Sequence, residues 1–234
     1  METLSNQNRI VKISEPILAE DSTSSTLSLS LRAVLEQLNN KNVTHHDYLV
    51  ALLLVFLAES GFYVSPTSDS ADKSSESWAS FENFEKKGKT KYWNTRLVYV
   101  PSNWKSQSSG LYEVRFVLLR SGVQSKLIVK PMGDKLILNM YPYIKNKKIY
   151  SMIIKTLMYV NPYTARLCNR YRNLKNISHR FKNDMATPMR TDIFYSLRLT
   201  NPSLQGLPSE LLIQIIQFLT DKDCKYLTVA LRTF

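Results

Sequence analysis

Residues 48–58 constrain the fold most. Every position from Tyr48 to Ala58 is uncharged, and nearly all are apolar. Thr44, just upstream, suits a helix N-cap, with Asp47 at the third helical position to complete a capping box, and Gly61 suits the far end. A helix over 44–60 that is apolar almost all round is either central to a core or covered by a partner. It is far shorter than the roughly 20 residues a membrane span needs. Residues 1–20 have no basic start followed by an apolar stretch, so no secretory leader is expected. Cys168 and Cys224 are far apart and form no CxxC. They read as reduced thiols, not as a disulfide framework or a zinc site. The expectation is a soluble protein of the cytoplasm or nucleus, with no membrane partner.

The rest of the chain switches between two periods. Leu27, Leu31, Val34, Leu35 and Leu38 recur at helical spacing and stop at Asn39-Asn40. Residues 65–90 are rich in serine and read as a mobile loop, with Trp78, Phe81 and Phe84 as possible anchors. The period then becomes two. Residues 97–100 predict a short strand closed by Pro101, and Tyr112, Val114, Phe116 and Leu118 alternate along a second. Residues 126–130, 136–141 and 148–155 complete the set, with turns at Ser121-Gly122 and Met132-Gly133-Asp134. Short strands joined by tight glycine turns predict an antiparallel meander with helices on one face. The fold class is therefore α+β, with an antiparallel sheet of about five strands. Asn161-Pro162 is expected to open a long helix carrying Tyr163, Leu167, Tyr171, Leu174, Ile177 and Phe181 on one face. Thr187-Pro188 is expected to open another, with Ile193, Phe194 and Leu197.

The net charge of +12 is concentrated. Residues 111–190 hold 16 of the 31 basic groups against 3 acidic ones, whereas residues 1–85 are acidic overall. Such a cationic middle can meet nucleic acid, anionic lipid or an acidic protein surface. A cationic nucleic-acid-binding α/β domain is the alternative function. No recognised nucleic-acid module accompanies the charge, so nucleic acid is the less favoured partner. His45-His46 beside Asp47 has no third ligand at a usable spacing, and exposed capping at a helix start is the simpler role. Cys168 lies among Arg166, Arg170 and Arg172, but no partner base is visible. No nucleophile elbow, P-loop or phosphate cradle occurs. We expect no catalytic residue, no metal and no cofactor: the chain is not an enzyme.

The C-terminal residues explain what such a chain could do instead. Pro208 suits a first helical turn, and Glu210 suits a helix N-terminus. Leu211, Leu212, Ile215, Ile216, Phe218 and Leu219 then form one wide apolar stripe. After Thr220-Asp221, a second stripe holds Cys224, Leu227, Ala230 and Leu231. Two helices this short cannot cover both stripes between themselves. Packing on the preceding domain is one solution and a foreign surface is the other.

The series Leu207, Pro208, Glu210, Leu211, Ile215, Phe218 and Leu219 resembles an F-box, the helical module that docks proteins onto the Skp adaptor of a cullin ubiquitin ligase. Residues 28–200 resemble the FP domain, shared by the F-box only protein seven and Nutcracker family and by a proteasome inhibitor. Three matches carry this: residues 57–62 at the end of the apolar helix, residues 100–104 a little before Gly110-Leu111-Tyr112, and residues 133–139. The resemblance implies an N-terminal polar segment over 1–27, an FP domain over 28–200 and a partial F-box over 207–234. Its final family helix would lie beyond Phe234, and neither a ubiquitin-like domain before residue 28 nor a substrate tail after Phe234 is expected. The implied function is an adaptor in a Skp–cullin–F-box ligase that also meets a proteasome regulator. The implied Skp-facing residues are Leu207, Pro208, Leu211, Leu212, Ile215, Ile216, Phe218, Leu219, Leu227 and Leu231. For FP pairing, with the proteasome inhibitor or a second copy, the candidates are the exposed sheet edge or the apolar helix with Tyr48, Leu52, Val55 and Phe56. The ubiquitination substrate is left open.

Overall fold

The structure is a computed structural model that describes residues 18–38, 43–64, 98–119, 121–145, 148–199 and 215–232. Two compact units are present, Met1–Met189 and Arg190–Phe234.

The first unit is built on a five-stranded antiparallel sheet. Its strands are β1 (Phe62–Val64), β2 (Tyr112–Leu118), β3 (Gln124–Met132), β4 (Lys135–Pro142) and β5 (Tyr150–Lys155), side by side in chain order. The register follows from alternation, because side chains on neighbouring strands share a face when their residues pair. Tyr112 pairs with Val129, Val129 with Leu138, and Leu138 with Met152, so one buried row crosses four strands. Gly133, at φ +61°, opens the two-residue turn between β3 and β4, where a positive φ matches the strand twist.

Two helices precede the sheet, α1 (Leu29–Leu38) and α2 (His45–Glu59). Thr44 caps α2 through a full capping box with Asp47. Every residue of α2 from His46 to Ala58 is buried except Tyr48. This helix is therefore the centre of the chain's own core, and each buried Leu, Val or Phe contributes about 1.5–3 kcal/mol. Gly61, at φ +87°, ends it and turns the backbone straight into β1.

Several sequence expectations need correction. Phe62–Val64, to which the sequence pattern assigns no element, is a strand, and it pairs with Phe116–Leu118 of β2. Residues 98–100 form no strand. They are held by one side chain, with Gln37 accepting from the Val100 N–H at 2.8 Å and donating to the Val98 carbonyl at 3.3 Å. Leu97 and the loop assigned to 65–90 lie outside the described residues. The helix expected from Asn161-Pro162 begins only at Leu174, as α3 (Leu174–Phe181). Before it, Tyr171 bridges back to Val160, while Tyr163 is 92% exposed. From α3 the chain continues through a π-turn, Lys182–Ala186, into α4 (Thr187–Ser196). Pro188 accounts for the π-turn. Its ring would crowd the Asp184 carbonyl four residues back, and widening the preceding turn relieves the clash, with the Thr187 N–H reaching Lys182 O.

The second unit contains a helical turn at 215–217 and the helix α5 (Asp221–Arg232). Thr220 caps α5, accepting from the Asp223 N–H at 3.3 Å and donating to its carboxylate at 2.7 Å.

Candidate functional site

The paired histidines are the place to look for acid–base or metal chemistry, and their surroundings give them a structural role. His46 is buried, contrary to the expected exposed cap. Its Nε2 lies 3.0 Å from the Gly133 carbonyl, and its Nδ1 lies 2.8 Å from the Thr156 hydroxyl. A carbonyl only accepts, so Nε2 carries the proton and Nδ1 accepts from Thr156. Burial pushes the imidazole below its ordinary value, with the bond to Gly133 opposing. The ring is thus a neutral strut tying α2 to the β3–β4 turn and the end of β5. The signal that could have found this is α2 itself: a helix enclosed on all sides has no wet face for His46.

Asp47 is the hub of a second network. Its carboxylate accepts from the Thr44 N–H at 2.6 Å, the Thr44 hydroxyl at 2.7 Å, Lys105 Nζ at 2.9 Å and the Tyr112 hydroxyl at 2.8 Å. Burial raises its pKa, but these donors outweigh that and hold it below the usual carboxylate range. Tyr112 is pushed far up by burial and by donating to Asp47. Every acceptor position is taken, which suits architecture rather than turnover. Among the described residues, no group of three His, Cys, Asp or Glu side chains could hold a metal. Among them too, no helix is long and apolar enough to cross a membrane.

What remains is exposed surface. Of the four residues given to FP pairing, Leu52, Val55 and Phe56 have no exposed area and Tyr48 is half-buried. Its backbone carbonyl accepts from the Tyr171 hydroxyl at 2.8 Å and its ring sits under Arg170, 4.5 Å away. The apolar helix is therefore spent inside the monomer and offers no pairing face. The other candidate is the sheet edge. β5 is a terminal strand, and Ile153 on it is 57% exposed. Ile149 and Leu157, just outside its two ends, are 63% and 47% exposed. The outer face of the sheet places Ile128, Ile137 and Ile153 among Lys126, Lys130, Lys135 and Lys155. Among these, Lys126 is committed to Glu113 at 2.6 Å.

In the second unit, Phe218 is 89% exposed, Tyr226 65% and Ile216 41%. Ile215, Leu219 and Leu227 are half-buried. Leu207, Pro208, Leu211 and Leu212, and the side chain of Leu231, lie outside the described residues. Tyr226 is a residue that sequence reasoning missed: it falls between the apolar positions of the second stripe, and nothing in the spacing marks it.

No protein-family model matches the chain. It is similar to Protein nutcracker of Drosophila melanogaster, with 29% identity over 106 residues, 43% of this chain and 34% of that protein. The chain thus spans about a third of the length of the relative it matches. That likeness agrees loosely with the F-box proteins that the motifs resemble.

Proposed function

We propose that the chain is a non-catalytic adaptor of a cytoplasmic or nuclear Skp–cullin–F-box ubiquitin ligase. In this reading, the C-terminal unit gives its apolar ridge to the Skp adaptor, which connects to the cullin scaffold. The observation that carries it is Phe218, a large aromatic with 89% of its surface exposed at a helix-to-helix junction. Ile216 and Tyr226 stand exposed in the same short unit. Buried aromatic and aliphatic anchors dominate interface energies, and truncating one typically costs about 2–4 kcal/mol. The likeness to Nutcracker supports the same reading.

The test is co-purification of the Skp adaptor with the chain carrying Leu211→Ala and Phe218→Ala. Loss of the adaptor, with the first unit's circular dichroism unchanged, is the expected result. Full retention refutes the assignment. Residues 28–200 pair in this reading with another FP domain, that of a proteasome inhibitor or of a second copy. With α2 enclosed in the core, the β5 edge is the surface to which we assign that pairing.

One observation favours a second reading. The outer sheet face presents Lys130, Lys135 and Lys155 toward one end and the edge-to-face pair Tyr141 and Tyr143, with Tyr141 opposite Lys126, toward the other, a basic and aromatic face that suits single-stranded nucleic acid. Binding that falls steeply with salt would support it. An apolar docking site for the Skp adaptor is expected to respond little to salt.

A further inference from the structure

A cavity of about 730 Å³ opens in the first unit between the loop at 22–24 and the entry to α3. One wall carries Arg172 and Lys175, both exposed. Neither side chain makes an ion pair or hydrogen bond among the described residues. Glu20 lines the cavity as well, but its carboxylate is already held by the Ser178 hydroxyl and by Lys182 at 2.9 Å. The uncommitted charge facing the cavity is therefore positive.

The loop at 22–24 contributes three hydroxyls to the lining, and two of them have a task. Ser22 Oγ accepts from the Ser28 N–H at 3.0 Å. Thr23 Oγ1 accepts from the N–H groups of Ser25 and Thr26, at 3.3 and 3.2 Å, and meets both of their hydroxyls. Ser24 differs. It is exposed, it lines the cavity, and among the described residues its hydroxyl has no hydrogen bond. The entry to α3 adds to the contrast. Its N-cap residue Asn173, at φ +51°, turns its side-chain amide away to donate to the Met158 carbonyl at 3.2 Å. It therefore leaves the first-turn N–H groups beside Lys175 uncapped.

We propose that Ser24 is a phosphorylation site whose phosphoryl group is received by Arg172 and Lys175. In the step, a protein kinase transfers the terminal phosphoryl group of a nucleoside triphosphate. Ser24 Oγ bonds to phosphorus and loses its proton, the bond to the nucleoside diphosphate breaks, and the diphosphate leaves. The product brings close to two negative charges and three acceptor oxygens into a cavity with two unpaired cations. It pins the loop to α3, a charge-dependent tie beside the permanent one made by Glu20. This inference is independent of the adaptor reading, because none of its residues lies in the C-terminal unit.

The experiment uses the full chain with phosphoserine installed at position 24, and ³¹P NMR to follow its second ionisation. A free phosphoserine titrates near 6. Contact with Arg172 and Lys175 is expected to lower that midpoint by about 0.5–1 unit, since nearby opposite charge favours the dianion. Phosphoserine at position 25, in the same loop but off the cavity wall, is the control and should titrate like a free peptide. Arg172→Gln with Lys175→Gln, both exposed positions, should return position 24 to the control value. High salt should do the same in the unsubstituted chain. A midpoint at position 24 equal to that at position 25, or a shift that survives both the double substitution and high salt, overturns the assignment.

Discussion

Replacing Asp47 with alanine removes the acceptor on which three elements converge, and the structure allows the cost to be worked out. Half of the capping box disappears, which typically costs about 1 kcal/mol. The Tyr112 hydroxyl, on a side chain with no exposed area, loses its partner at 2.8 Å. An orphaned buried donor costs about 1–3 kcal/mol. Lys105 contributes less. Its side chain is 31% exposed and can turn to water, so breaking that pair adds no more than about 1 kcal/mol. The sum is about 3 kcal/mol, a large part of the stability of a domain this size.

Acid gives an independent check on the sign. The Asp47 carboxyl titrates below its unfolded value, so its contribution is complete above about pH 4 and fades as pH falls through the folded value. Urea unfolding followed by fluorescence should therefore show a gap between Asp47→Ala and the parent that is wide at pH 7 and narrower at pH 3. Tyr112→Phe should cost less in the Asp47→Ala background than in the parent, because its bond to Asp47 is already gone. A loss under 1 kcal/mol at pH 7, or strict additivity of the two changes, refutes the account of Asp47 as the hub.

Lys182 sits 2.9 Å from both Glu20 and Glu59, and the Glu59 side chain is only 4% exposed. Lys182→Met should cost about 3 kcal/mol at neutral pH, by leaving a buried carboxylate without its cation. Burial already holds Glu59 above its ordinary value, so the stability tied to its neutral form is present in acid and lost as pH rises through the folded value. The deficit of Lys182→Met should accordingly be larger at pH 8 than at pH 5 in thermal melts. Ile153→Lys, on the exposed edge strand, should leave the melting temperature within a degree or two and abolish any FP pairing seen by size exclusion, since surface substitutions away from buried features cost little. Gly61→Ala should cost about 1 kcal/mol in urea unfolding from backbone strain at φ +87° alone, because the added methyl would meet Leu118 Cδ1 at an ordinary 3.8 Å.

The features legible in the sequence are mostly local. Thr44, Asp47 and Gly61 act through neighbours three or four residues away, so the ends of α2 can be read from those residues alone. The alternation Tyr112, Val114, Phe116, Leu118 spans enough residues to reveal its period, and β2 to β5 follow. Phe62–Val64 holds only three residues, too few to show a period. Residues 98–100 have strand-like composition, but their partner is the side chain of Gln37, some sixty positions away. Tyr163, Leu167 and Tyr171 fall at helical spacing by coincidence: the backbone there is a 3₁₀ turn, Leu167–Asn169, followed by a bridge. The histidine assignment fails for a related reason. Composition places His46 at a helix start, whereas its two bonds come from residues 87 and 110 positions away.

The exposed aromatics of the C-terminal unit set the scale of what a partner must supply. Burying Phe218 or Ile216 would release about 1.5–3 kcal/mol each. Fixing one residue's backbone costs about 1–2 kcal/mol. Residues 215–217 and α5 together order far more residues than these few side chains could offset by themselves. A partner that touched only Phe218 would gain little, whereas one that covered Ile216, Phe218 and Tyr226 would bury several anchors together. Stable interfaces typically take about 800 Å² from each side. A short helical unit reaches that area only if it is embraced along its length, which makes a grooved helical receptor a better match than a flat surface. That geometric demand separates the adaptor reading from the nucleic-acid one, whose contacts would fall on the lysines of the sheet and leave Phe218 in water.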